Sequence, residues 1–234
     1  TISSALVFNN IQTNITGAAG SLTITGTGSL SINNNQFRNV NGINVSSLSS
    51  MTMQAGSSLS FSSLNSTVDV AAIYNSGTLT LTGATVFADT GSRVIGVWVD
   101  DLGTANVSGS SSIFGSKYSV LNYNSFTMSD GTLDGEIYTV AKSNTAAART
   151  TTTLTDVSID GSISAIGTTN VYLTNILFTS SGNSLNNYGA SDIYVDGTFQ
   201  AADGSRISIN AQRKAGDTNP NNIGGTIRFG SRSG

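Results

Sequence analysis

The groups in this chain that could do chemistry are carboxylates, because its 234 residues include no histidine and no cysteine. That excludes Ser-His-Asp and Cys-His nucleophiles, histidine-ligated zinc, thiolate metal sites and disulfides. Asp100 and Asp101 are adjacent, and Asp130, Asp134 and Glu136 follow further along. On an extended strand Asp134 and Glu136 face the same side, so stacked repeats are expected to gather four or five of these acids on one flank. Such a set could cleave a glycosidic bond, one carboxyl acting as acid and another as base. The competing reading is corner aspartates that bond to their own turns.

The same patch offers hard oxygen ligands for Ca²⁺, and Lys117 or Lys142 could serve a lyase as base. Neither the EF-hand spacing nor the glycine-aspartate nonapeptide of calcium β-rolls occurs, so no metal and no cofactor is expected. GTGSLS from Gly26 and GGTIRFG from Gly224 lack the lysine of a phosphate-binding loop and read as corner glycines. The aromatic residues Tyr74, Trp98, Tyr118, Tyr123, Tyr138, Tyr172, Tyr188 and Tyr194 follow or flank one family of strands. Tyr74, Trp98, Tyr123 and Tyr138 are expected to form an outward stacking surface for sugar rings or a partner. The alternative for each is core filling.

What must position these groups is a recurring phrase: an alternating apolar and hydroxyl strand, a small or acidic break, then more apolar residues. It reads SLTITGTGSLSI from Ser21, SMTMQAGSSLSF from Ser50, TLTLTGATVFA from Thr78 and DIYVDGTFQA from Asp192, with four further copies between. Aligning Leu22, Met51, Leu79, Ala105, Phe126, Thr152, Val171 and Ile193 gives a loose period of about twenty to thirty residues, the mark of stacked coils. A second strand family precedes the phrase, as in DVAAIYNSG from Asp69 and RVIGVWVDDLG from Arg93. Outward threonines occur at Thr23, Thr80 and Thr153, but the phrases at Met51 and Phe126 carry only Thr52 and Thr127, so no continuous hydroxyl row is expected. Corner residues such as Asn75, Gly77, Asn124 and Asn170 suit left-handed or tightly turned backbone.

These patterns predict an all-β, single-stranded right-handed parallel β-helix of roughly nine or ten coils, about 45 Å long at the interstrand spacing. The competing fold is an antiparallel sandwich. Ala141 to Thr150 is expected to be a loop excursion, and Pro220, the single proline, lies in a loop before a last strand. The whole of 1–234 reads as one domain, with 1–20 a possible N-terminal cap or donor strand and 206–234 a basic C-terminal end.

Composition narrows the function classes. Charged residues make up 10% of the chain, against about 25% in an ordinary soluble domain, so hydroxyls and amides must keep it in solution. From Thr1 to Val68 the one charged side chain is Arg38. A net charge of −3 argues against a dedicated nucleic-acid binder, which needs a concentrated basic face. No apolar run reaches the roughly 18 residues of a helical membrane span.

NSGTLTLTGATV from Asn75 and ASDIYVDGTFQAADGSRISI from Ala190 resemble the β-helical passenger domains of bacterial autotransporter adhesins. The resemblance implies a translocated protein of the bacterial surface or extracellular space, anchored to the outer membrane by a segment outside this chain. It would bind host proteins, glycans or identical subunits. Residues 99–101 resemble the paired aspartates of pectin-degrading glycosidases, without that family's Gly-His-Gly and Arg-Ile-Lys signatures. The expectation is therefore a non-enzymatic adhesin or matrix protein, with a polysaccharide-cleaving β-helix, such as a phage tailspike-like depolymerase, as the alternative.

Overall fold

A computed structural model describes every residue except 12, 18, 36–38, 90, 142–148, 213–224 and 231–234. The expectations at Ala141 to Thr150, Lys142 and Pro220, and much of the basic C-terminal end, fall largely outside the described residues. All secondary structure in the described residues is β, and every recorded strand pairing is parallel.

The chain runs repeatedly through three ladders, so the sheet curls round on itself in a solenoid-like form. The first ladder holds Ala5–Asn9, Ser29–Asn33, Ser58–Ser62 and Thr85–Asp89, then 111–115, 131–134, 157–159, 176–178 and 199–201. The second holds Thr13–Ile15, Ile43–Val45, Val70–Asn75 and Val94–Val99, then 118–122, 136–140, Ile163–Ile166, Ser184–Tyr188 and Ser208–Gln212. The third holds Ser21–Ile24, Ser50–Met53, Thr78–Thr82 and Thr104–Ser108, then 125–129, 150–155, 169–174, 192–195 and Thr226–Phe229. Ala5–Asn9, expected as a cap or donor strand, pairs in register with Ser29–Asn33 and is the first rung of its ladder.

The third ladder has the register that alternation predicts. Leu22, Met51, Leu79, Ala105, Phe126, Thr152, Val171 and Ile193 form one inward column, which Ile227 continues. A second column carries Ile24, Met53, Leu81, Val107, Met128, Leu154, Leu173 and Val195. Stacking like on like lets each side chain bury its apolar area against its neighbours above and below. Phe61, Phe126 and Phe178 are fully buried. At about 25 cal/mol per Å² of apolar area withdrawn from water, such columns dominate the stability of the rod.

Two corners differ in construction. Left-handed backbone recurs in every coil where the third ladder passes to the first, at Gly26, Gly56, Gly83, Ser110, Asp130, Asp156, Asn175 and Gly197, and is used at the corner from the second ladder to the third by Gly17, Gly167 and Gly189. Asn75, Gly77, Asn124 and Asn170 are not left-handed; they take the tightly turned alternative at the corner between the second and third ladders, by close contact and hydrogen bonding. A Cβ on Gly77 or Gly103 would overlap carbonyl oxygens of the preceding coil, Ser46 and Ser49 in one case and Asn75 in the other. Asn75 points inward and is fully buried; its Nδ2 donates to the Thr104 carbonyl at 3.0 Å and its Oδ1 accepts from Gly77 N at 3.1 Å. Asn122 repeats the device, donating to the Thr151 carbonyl and accepting from Asn124 N, and it also donates to Thr152 Oγ1 at 2.8 Å. Buried amides are tolerable here because each satisfies backbone groups of a tight turn.

The outer face of the third ladder carries an unexpected regularity. Thr52 and Thr127 stand in the same column as Thr23, Thr80 and Thr153, so the hydroxyl row is interrupted only by Asn106.

Candidate functional site

The outer face of the second ladder carries one column that changes character along its length: Asn14, Asn44, Tyr74, Trp98, Leu121, Tyr138, Ser164, Asn186 and Asn210. Its two ends are amide ladders. Asn44 donates to Asn14 Oδ1 at 2.8 Å, and Asn210 donates to Asn186 Oδ1 at 2.9 Å. Between them lies an apolar cluster outside the main core, with Ala71, Ile95 and Leu121 buried beneath Tyr74, Trp98, Tyr118, Tyr123, Tyr138 and Val140.

All four residues chosen from the sequence, Tyr74, Trp98, Tyr123 and Tyr138, therefore fall in one patch. Trp98 is central: its ring lies edge-on to Tyr74 at 5.3 Å between centroids and tilted to Tyr123 at 6.1 Å. Tyr118 stacks on Tyr138 at 5.0 Å. The packing leaves Trp98 Nε1 buried without a hydrogen-bond partner among the described residues. The participation of Ala71, Ile95, Leu121 and Val140 was missed. Its signal was the run VIGVWV at 94–99, which is apolar on both faces of a strand that needs only one for the core.

Charged groups rim the patch where the first ladder passes to the second. Asp69 pairs with Lys117 at 2.6 Å and with Arg93 at 3.4 Å, and Lys117 Nζ lies 4.9 Å from the Tyr118 ring centroid. Glu136 accepts a hydrogen bond from Ser164 Oγ at 2.6 Å. Burial lifts the Glu136 carboxyl above its ordinary range, against the opposing pull of the Ser164 bond and Lys117. Burial also raises the Tyr118 phenol, helped by Glu136 and Asp69, and pushes Tyr138 up to about 12. Both phenols therefore stay neutral donors across the physiological range.

The five candidate acids are not brought together. Asp100 and Asp101 sit at the corner between the second and third ladders, where Ser76 Oγ donates to Asp100 at 3.3 Å. Asp130 is a left-handed corner residue on the opposite side of the third ladder and accepts from Ser110 Oγ at 2.7 Å. Asp134 belongs to the first ladder, in register with Asp160; burial and that neighbour raise its carboxyl. Glu136 belongs to the second ladder, with Gly135 at a φ of 113° between them. Strand alternation does not pass through that bend, which is why Asp134 and Glu136 part. Among the described residues no three carboxylates are grouped to share a metal ion. Lys117 is engaged with Asp69 on the second flank.

No family model, no curated protein and no solved structure matches this chain.

Proposed function

We propose that the chain is a non-enzymatic adhesin or matrix rod of the bacterial surface or extracellular space. It would be a right-handed β-helix of roughly nine or ten coils at the usual repeat length, in the manner of autotransporter passengers. The observation that carries this reading is the aromatic patch centred on Trp98, set in an outward column whose two ends are Asn and Ser. Interfaces concentrate energy in a few aromatic residues surrounded by weak contacts, and tryptophan and tyrosine lead that group. Glycans, host proteins and identical rods are the partners such a surface suits. The nearly uncharged stretch from Thr1 to Val68 favours rod-to-rod association, because two such faces meet without burying charge.

The test is capture of glycans and proteins on arrays, with sedimentation of the purified chain over a range of concentrations, for the wild type and Trp98→Ala. Loss of a hot-spot aromatic is worth at least about 2 kcal/mol, so the variant is expected to bind or self-associate roughly thirtyfold more weakly while keeping its β-sheet signal. Binding unchanged in Trp98→Ala would refute the assignment of the patch. The dispersal of the acids over separate corners and flanks lends no support to polysaccharide cleavage, so incubation with acidic and neutral polysaccharides is expected to release no new reducing ends or unsaturated uronates.

A further inference from the structure

A second feature of the outer surface lies on the third flank, near its C-terminal end. The hydroxyl column ending at Thr153 continues as Tyr172, Tyr194 and Arg228, and the neighbouring outward column runs through Thr155, Thr174 and Asp196. The two columns are two residues apart along the strands, about 6.6 Å. Tyr172 and Tyr194 stack at 5.2 Å with an interplanar angle of 14°, and the Arg228 guanidinium lies 5.5 Å from the Tyr194 centroid. Thr153, Tyr172, Thr174, Tyr194, Asp196 and Gly230 enclose a slot of about 320 Å³.

The slot has one aromatic wall and one wall of hydroxyl and carboxylate. Ligand sites of this size are typically a mostly apolar concavity with a few converging polar groups that fix orientation. An aromatic wall suits the C–H face of a sugar ring. The Asp196 carboxylate can accept from ligand hydroxyls, and the Thr153 and Thr174 hydroxyls can either donate or accept. Among the described residues the slot's lining holds the Asp196 carboxylate and no lysine or arginine, and the nearby Arg228 guanidinium is held against the Tyr194 ring, so an anionic ligand such as a uronate or phosphate would meet the Asp196 charge directly. Beyond Thr153 the face is uncharged Thr, Ser and Asn as far back as Ser21, a path along which a neutral chain could continue.

We propose that this slot is a binding subsite for a neutral hexose unit of a polysaccharide. It rests on the glycan-binding branch of the function above but uses a different flank. Titration calorimetry with cellohexaose, maltohexaose, mannohexaose and xylohexaose as probes, and polygalacturonate as an anionic control, tests it on the full chain. At least one hexose oligomer is expected to bind in preference to xylohexaose, which lacks the exocyclic hydroxymethyl group. Asp196→Asn is expected to weaken that binding at least about tenfold, since hydrogen bonds to a charged acceptor are the strong ones, and Tyr194→Ala to reduce it further. Asp196→Asn alters no core contact, so its readout survives if Tyr194→Ala folds poorly. The proposal is overturned if no probe binds at millimolar concentration, or if polygalacturonate or xylohexaose binds best. Binding retained in Asp196→Asn would also overturn it, while leaving the aromatic patch on the second flank intact.

Discussion

Thr152 offers a stability test whose sign runs against intuition. It occupies an inward column between Phe126 and Val171, yet its hydroxyl is satisfied: Asn122 Nδ2 donates to it at 2.8 Å and Thr139 Oγ1 lies 2.7 Å away. Thr139 and Thr152 are both fully buried. Thr152→Val keeps the shape but orphans the Thr139 hydroxyl and one N–H of Asn122. Each buried orphan costs about 1–3 kcal/mol, so the single variant, with two, should lose about 2–6 kcal/mol. Adding Thr139→Val removes one of the two orphans. The double variant, with one, should therefore lose only about 1–3 kcal/mol, less than Thr152→Val alone.

Urea unfolding followed by far-ultraviolet circular dichroism measures both, and a cycle with Thr139→Val gives the coupling. For a chain of this size each kcal/mol moves the melting temperature by about 2–4 °C, so the double variant should melt a few degrees above Thr152→Val. Additive losses, or a Thr152→Val protein within about 0.5 kcal/mol of wild type, would refute the claim that this buried network is closed.

Two further outcomes follow from the corners and the rim. Glu136 has a raised carboxyl in the fold and an ordinary value of 4.5 when unfolded. Between those values the native state holds a proton that the unfolded chain has released, so stability falls as pH rises through that window and levels off above it. Glu136→Gln should flatten that part of the curve, and an unchanged pH profile would count against the burial of this group. Gly103→Ala would drive a Cβ into the Asn75 carbonyl, costing about 3 kcal/mol, whereas the open but left-handed Gly182 should lose only about 1–2 kcal/mol as alanine. Equal melting temperatures for the two variants would contradict the close approach of successive coils at that corner.

Much of the scaffold could be read from residue order. Alternation in TLTLT at Thr78–Thr82 and its relatives specified which side chains face inward, and aligning them by phrase recovered the pairing partners from Leu22 to Ile193. This worked because a strand has a period of two and parallel stacking repeats it rung by rung. The aromatic patch was half visible: Tyr74, Trp98, Tyr123 and Tyr138 were identified, while the apolar bed of Ala71, Ile95 and Leu121 looked like ordinary core. The acidic cluster failed as a prediction because it carried strand alternation across a corner.

Sequence alone determined that the chain is β throughout its described residues, that it stacks as parallel coils, and that histidine and thiol chemistry are excluded. Those properties follow from composition and from a two-residue period, which are local. Tertiary structure decided which outward residues become neighbours. Trp98 meets Tyr123, and Tyr118 stacks on Tyr138, because the second ladder sets the lateral register whatever the intervening loops contain. It also decided that Asp134 and Glu136 part company, since one glycine at a φ of 113° turns the chain from one flank to the next. A surface site on a solenoid is made of residues a whole coil apart, and only closure of the coil says which ones meet.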